Sequence, residues 1–223
     1  MARDTQYSAV HFIPEANVNP KKWNTIPSDD MVDRTAGAIK KRAMTVVVVN
    51  SGDEALQTIK KIIPRNATVM SGSSTTLIEI GFEDFVAEGE SGWKSLREDI
   101  FAENDETKRN ELRRKSVSAD YFVSSANAIA STGEIVACDA SGSRVGAWPF
   151  AAGHLILVVG INKIVPTLHQ ALDRINEYVY PLEDVRSRRV NGTASMIGKC
   201  VILAGERKSD RTMVILVREI LGY

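Results

Sequence analysis

Between Val69 and Gly81 the chain reads VMSGSSTTLIEIG. An apolar pair runs into Ser71, Gly72, Ser73, Ser74, Thr75 and Thr76, and an apolar helical spacing at Ile78, Phe82 and Phe85 follows at once. Glycine lets backbone approach a ligand closely, hydroxyls donate, and the free N–H groups that open a helix favour negative charge. The chemistry this implies is anion binding. Capping a helix requires one such residue, so a cap alone does not account for the tract. The tract has neither the lysine of a P-loop nor the G-x-G-x-x-G spacing of a dinucleotide site.

Three further strand candidates end in small polar or charged residues. YFVSS (121–125) leads to Asn127, EIVAC (134–138) leads to Asp139 and then SGSR with Arg144, and HLILVVG (154–160) leads to Asn162 and Lys163. Arg144 carries a planar fork that suits a carboxylate or phosphate. Lys163 offers a point charge. Glu134, in the turn STGE, and Asp139 are the carboxylates placed to act as nucleophile or base. Each has a plainer reading that stays open: an exposed turn residue for Glu134, a surface ion pair for Arg144, a solvated loop residue for Lys163.

Other chemistry is not indicated. His11, His154 and His169 show no H-x-H or H-E-x-x-H spacing, so no metal site is expected. No G-x-S-x-G elbow occurs. Cys138 and Cys200 lie in separate apolar runs without a C-x-x-C, which excludes an iron–sulfur cluster or zinc ribbon built by this chain. Two buried, inert thiols are the expectation.

The elements that must position these loops are read from patterning. Ser28 is a helix N-cap followed by Asp29 and Asp30, and that helix ends at Lys40, Lys41 and Arg42, with charges placed as its dipole prefers. TVVVVN (45–50) does not alternate, as expected of a strand buried on both faces. Ser51 and Glu54 form a capping-box pattern for a helix closed by Pro64, and ATVM (67–70) completes a βαβ unit. Residues 93–116 read as one exposed charged helix with Asp105/Arg109 and Glu111/Lys115 pairs, and the run RRK at 113–115 as a solvated face. Leu168, Leu172, Ile175 and Val179 make one apolar helical face. CVILAG (200–205) and TMVILV (212–217) are further strands; the last is expected at a sheet edge, where it would support a homodimer. The fold class that follows is α/β, with a mainly parallel, Rossmann-like open sheet and helices on both faces. Residues 1–27, broken by Pro14, Pro20 and Pro27, read as an arm, and 28–223 as a single domain. Ligands of such sheets sit beyond the carboxyl ends of the strands, where the loops above begin.

Composition narrows the partners. Lys plus Arg and Asp plus Glu number 28 each among 223 residues, and this balance argues against nucleic acid as a partner. No apolar run reaches the length of a membrane helix, and no signal-peptide core opens the chain, so a cytoplasmic protein is expected.

GSSTTLIEIG, ADYFVSSANAIASTGEIV, SGSRVGAWPF and GINKIVPTLHQALDRI, in this order, resemble the LUD-domain family, the family of lactate-utilisation protein C. The resemblance runs from about Asp29 to VILVREILGY. It implies the fold of the ribose-5-phosphate isomerase, glucosamine-6-phosphate deaminase and CoA-transferase group. It also implies that the loop matching Gly72 to Thr76 holds a phosphate- or CoA-type ligand, and that Glu134 is a loose positional counterpart of the CoA-transferase glutamate. Some family members act with iron–sulfur partners, in systems that include FAD-linked subunits, to oxidise lactate to pyruvate. No cofactor is expected in this chain itself. The resemblance leaves three readings: an accessory subunit that binds a small anionic metabolite, a stand-alone enzyme of CoA-transferase or sugar-phosphate type using Glu134 or Asp139, and a partner-binding module using residues 105–115.

Overall fold

The computed structural model describes residues 13–223, so His11 and the first part of the arm lie outside the described residues. The rest of the arm forms two short helices, α1 (Ile13–Ala16) and α2 (Pro20–Trp23). Asn19 caps α2 by accepting from Lys22 N at 3.2 Å. Trp23 is buried, and its indole N–H donates to Glu177 at 3.0 Å.

Helix α3 (Asp29–Lys41) starts where its cap predicts, with Ser28 Oγ accepting from Met31 N at 3.3 Å. Val32, Ala36 and Ile39 form its buried stripe. Strand β1 (Thr45–Val49), helix α4 (Gly52–Ile62) and strand β2 (Thr68–Ser71) follow. Ser51 caps α4, but the Glu54 carboxylate reaches Asn50 N at 2.8 Å, one residue further back than a capping box requires. The βαβ unit is also wider than neighbouring strands would make it. Strands β4 (Tyr121–Ser124), β7 (His154–Gly160) and β10 (Thr212–Val217) lie between β1 and β2. Helix α4 lies on one face of the sheet they form, against β1 and β10. Ala55 and Ile59 of α4 belong to the apolar cluster to which β1, β2, β4, β7 and β10 all contribute.

The main sheet has six parallel strands in the order β1-β10-β7-β4-β2-β3, where β3 is Lys94–Ser95. The expected edge position of TMVILV is therefore corrected. β10 pairs with β1 on one side and β7 on the other, and offers no free edge to a second copy. Its unbroken apolar run is what burial on both faces demands.

The charged stretch 93–116 is likewise not one helix. It contains β3, α7 (Leu96–Ala102) and α8 (Glu106–Ser116). Asp105 ends the continuity: its carboxylate caps α8 by accepting from Lys108 N at 2.9 Å. The short helices α5 (Thr75–Glu79) and α6 (Phe82–Ala87) precede it.

A second sheet of four strands, ordered β8-β5-β6-β9, packs on one face of the first. It consists of β5 (Ala128–Ala130), β6 (Ile135–Asp139), β8 (Ile164–Val165) and β9 (Lys199–Leu203). EIVAC and CVILAG thus belong to an antiparallel pair outside the main sheet. The β5–β6 hairpin turns at Gly133, whose φ of +98° suits glycine. Helix α9 (Leu168–Arg174) covers the outer face of this sheet and runs through one wide turn, Ile175–Val179, into α10 (Tyr180–Asn191). That turn lies just ahead of Pro181, whose ring and missing N–H a regular turn does not accommodate. The layers run α4 and α5, main sheet, second sheet with α3, then α9 and α10. No described helix is long and apolar enough to cross a membrane.

Candidate functional site

The bend between β4 and β5 is three residues long, and each of its carbonyls takes a hydrogen bond from a different cation. Arg144 Nη1 donates to Ser125 O at 2.9 Å, Lys163 Nζ to Ala126 O at 3.2 Å, and Arg174 Nη1 to Asn127 O at 2.5 Å. Lys163 is 2% exposed and Arg174 is fully buried. Such charges are costly to bury unless they are paired and hydrogen-bonded.

Lys163 ends the single 3-10 turn Ile161–Lys163 that links β7 to β8. Its Nζ also donates to Thr76 Oγ1 at 2.9 Å and to Ser125 Oγ at 3.2 Å. Burial pulls its pKa down to about 7, the nearby Arg174 charge adds to that shift, and Glu79 opposes it. Burial also lowers the Arg174 pKa, although a guanidinium stays protonated throughout the physiological range. Arg174 Nε donates to Trp23 O at 3.1 Å, and its Nη2 has no partner among the described residues. Tyr178 lies under the guanidinium, which is centred 5.2 Å from the ring centroid.

Arg144 completes the bend from the other side. Its Nη2 donates to Cys138 O at 2.5 Å and Asn127 Oδ1 at 3.3 Å, while Asn127 Oδ1 also accepts from Cys138 N at 2.9 Å. Asp139 holds the loop that carries Arg144, accepting from Gly142 N, Arg144 N and Val145 N at 2.5, 3.2 and 3.1 Å. Its carboxylate is 4.0 Å from Arg144 Nε.

The hydroxyl tract divides its labour. Ser74 alone caps α5, accepting from Leu77 N at 3.3 Å. Ser71 lies in β2 and donates to Glu83 at 3.1 Å. Ser73 is exposed, Thr75 is half-buried, and Thr76 is fully buried against Lys163. Helix α5 has only five residues, so the attraction its N-terminus exerts on an anion is small. What the tract contributes is Thr76 and the close approach at Gly72.

Residues 221–223 lie across this cluster. Gly222, at φ +56°, donates its N–H to Glu79 at 2.6 Å, and a Cβ there would sit 2.8 Å from Thr75 Oγ1 and 3.1 Å from Lys163 Nζ. Asn162 anchors the segment: its Oδ1 accepts from Leu221 N at 3.1 Å and its Nδ2 donates to Asn24 at 2.7 Å. Two open surface clefts lie elsewhere. One, of about 390 Å³, separates Arg113 and Arg114 of α8 from Ser141, Gly142 and Ser143; the other, of about 440 Å³, is bordered by Arg65, Asp120 and His154.

The structure therefore brings together Gly72, Thr75, Thr76, Asn127, Asp139, Arg144, Asn162 and Lys163. Glu134 stands apart, at the turn end of the β5–β6 hairpin, held by Arg42 and by a 2.5 Å bond from Thr132. Burial works against the Glu134 charge, but the Thr132 hydrogen bond and the Arg42 pairing outweigh it, and its pKa falls. Ser125, Arg174 and the 221–223 segment belong to the cluster with no motif to announce them. The nearest signal is SSAN, which marks the bend but not the cations that hold it.

The open six-strand parallel sheet, its second mixed sheet and the cation-lined loops at its carboxyl rim define an α/β protein. The LUD domain model matches residues 32–222, and the chain belongs to the LUD-domain family. It is similar in fold to a DUF162 family protein from Deinococcus radiodurans, with a TM-score of 0.53 and 13% sequence identity, over 86% of this chain and 99% of that one. No curated protein matches the chain.

Proposed function

We propose that this LUD-domain protein binds a small organic anion at Lys163, Thr76 and Arg174, as an accessory subunit in the oxidation of lactate to pyruvate. The observation that carries the anion is the charge left over in the cluster. Arg144, Lys163 and Arg174 face Asp139 and Glu79, three cations against two carboxylates; Asp139 is taken up by Arg144 and its own loop, and Arg174 Nη2 has no hydrogen-bond partner among the described residues. A carboxylate entering here would meet two buried cations, and the hydroxyls of Thr76 and Ser125 would meet the oxygen on its neighbouring carbon. Entry from the Gly222 side requires residues 221–223 to lift. The lactate assignment comes from the family, not from the geometry. Because this chain has no C-x-x-C, the iron–sulfur clusters of this reading belong to other subunits.

Calorimetry and thermal shift with lactate, pyruvate, phosphate, a sugar phosphate and CoA test the reading, with Lys163→Met as the control. A ligand at about 100 times its Kd stabilises the fold by about 2.7 kcal/mol. Stabilisation by lactate or pyruvate that the variant loses supports the proposal. Response to CoA or the sugar phosphate alone would replace it with the CoA-transferase or sugar-phosphate reading, and no response to any anion would remove it.

A further inference from the structure

The expectation of two buried, inert thiols does not describe what the second sheet builds. Cys138 is half-buried and Cys200 is exposed, both are free, and they are direct cross-strand partners in the antiparallel β6–β9 pair. The kind of pairing can be read from the backbone. Cys138 N donates to Asn127 Oδ1, and Cys138 O accepts from Arg144, so both groups point away from β9. Val136, two residues earlier, also faces β5, with its carbonyl accepting from Asn127 N at 3.0 Å. Cys138 and Cys200 therefore form a non-hydrogen-bonded pair, the closer of the two antiparallel kinds, with Cα atoms about 4.5 Å apart and both side chains on one face. A disulfide spans Cα separations of about 4.4–6.8 Å, so bridging this pair requires little backbone movement.

We propose that Cys138 and Cys200 are the two ends of a reversible cross-strand disulfide, formed by exchange with a low-molecular-weight disulfide. Cys200, the open thiol, reacts first: its thiolate attacks one sulfur of the small disulfide, giving a mixed disulfide and releasing one thiolate. The Cys138 sulfur then attacks the Cys200 sulfur, displaces the second small thiolate and passes its proton to solvent. The two protein thiols are oxidised, and one small disulfide is reduced to two thiols. Burial pushes the Cys138 thiol up to about 11 and raises that of Cys200 as well, so both attacks are slow near neutral pH, and what favours the second is that it is intramolecular between facing side chains. The bridge would fasten β9, whose other edge is unpaired among the described residues, to the strand whose Cys138 carbonyl holds Arg144.

The test uses the full chain, reduced and then incubated with oxidised glutathione. The expected product is a monomer lighter by two hydrogens, with no glutathione adduct. Its non-reducing digest links the Cys138 peptide to the Cys200 peptide, and amide exchange in β9 slows. Cys138→Ser should stop at a glutathione adduct on Cys200, and amide exchange in β9 matching that of the reduced wild type shows that the variant keeps its strand pairing. A stable adduct on Cys200 in the wild-type protein would overturn the proposal. So would disulfide-linked dimers, or two thiols that both remain titratable.

Discussion

Gly72 and Arg144 share one space: a Cβ built on Gly72 would lie 2.7 Å from Arg144 Cδ and 2.8 Å from its Cγ. The arginine stem runs flat over the backbone of the β2–α5 loop and ends on the carbonyls of Ser125 and Cys138. Anchored at both ends, it cannot swing aside as a free surface arginine would. Gly72→Ala should therefore push the guanidinium off the bend and cost about 1–3 kcal/mol, the usual scale of overpacking. Urea unfolding measures the loss, and a titration with the anion found for the wild type should show weaker binding. An alanine variant that unfolds and binds like the wild type would show that the stem is not confined.

Lys163 makes stability depend on pH in a definite direction. Its folded pKa is about 7, against an ordinary 10.5. Below pH 7 both folded and unfolded chains hold the proton, and the fold carries the full cost of the buried charge. Between these values the unfolded chain holds a proton that the folded chain has released, so stability rises with pH, by at most about 1.4 kcal/mol per unit. Lys163→Met should flatten that rise. Urea midpoints at about pH 6 and about pH 9 give the comparison, and equal slopes in the two proteins would refute it. Anion binding needs the protonated lysine, so affinity should fall as pH rises through 7, with proton uptake on binding visible as a buffer-dependent enthalpy.

Glu134 gives a contrast. Its carboxylate ties the β5–β6 turn to Arg42 at the end of α3 and sits among none of the Lys163 partners. Glu134→Gln should cost about 1–2 kcal/mol, the range for a charged hydrogen bond of limited exposure. Because the folded pKa is lowered, the contribution is present above the ordinary glutamate value and disappears as pH falls through the folded one. Anion affinity should be unchanged. A variant that keeps its stability but loses binding would move Glu134 into the site.

Much of this arrangement was legible because long, buried elements leave strong patterns. The apolar runs at 154–160 and 212–217 coincide with β7 and β10 to the residue, and Ser28 and Ser51 cap the helices expected. Gly72, Thr76, Asn127, Arg144 and Lys163 converge because each follows a strand carboxyl end, or lies one loop beyond it. What stayed hidden has physical causes. β5 and β8 are three and two residues long, too short for any period to register. Strand order in a sheet is not chain order, so the interior place of β10 could not be read from its late position. Arg174 adjoins the apolar stripe of α9, and nothing in its spacing separates a buried guanidinium from a solvated one. The Cys138–Cys200 register depends on how two distant strands align, which neither strand specifies alone.

Arg174 links the bend to the arm. Its Nη1 holds Asn127 O and its Nε holds Trp23 O, at opposite ends of one planar group. Arg174→Met keeps most of the stem's volume but leaves both buried carbonyls without a donor, at about 1–3 kcal/mol each. Part of that cost is offset because an unpaired buried charge is removed as well. The net effect on global stability should therefore be modest, and the larger effect local. With its carbonyl released, α2 keeps, among the described residues, the apolar packing of Trp23, its indole bond to Glu177, the Lys22–Glu177 pair and the Asn24–Asn162 bond. Amide exchange over residues 19–24 should speed up well beyond that of β7 and β10, and Trp23 fluorescence should shift to the red as its pocket opens. Exchange that rises equally across the whole chain would mean that Arg174 supports the fold globally and does not act as the tether of this segment.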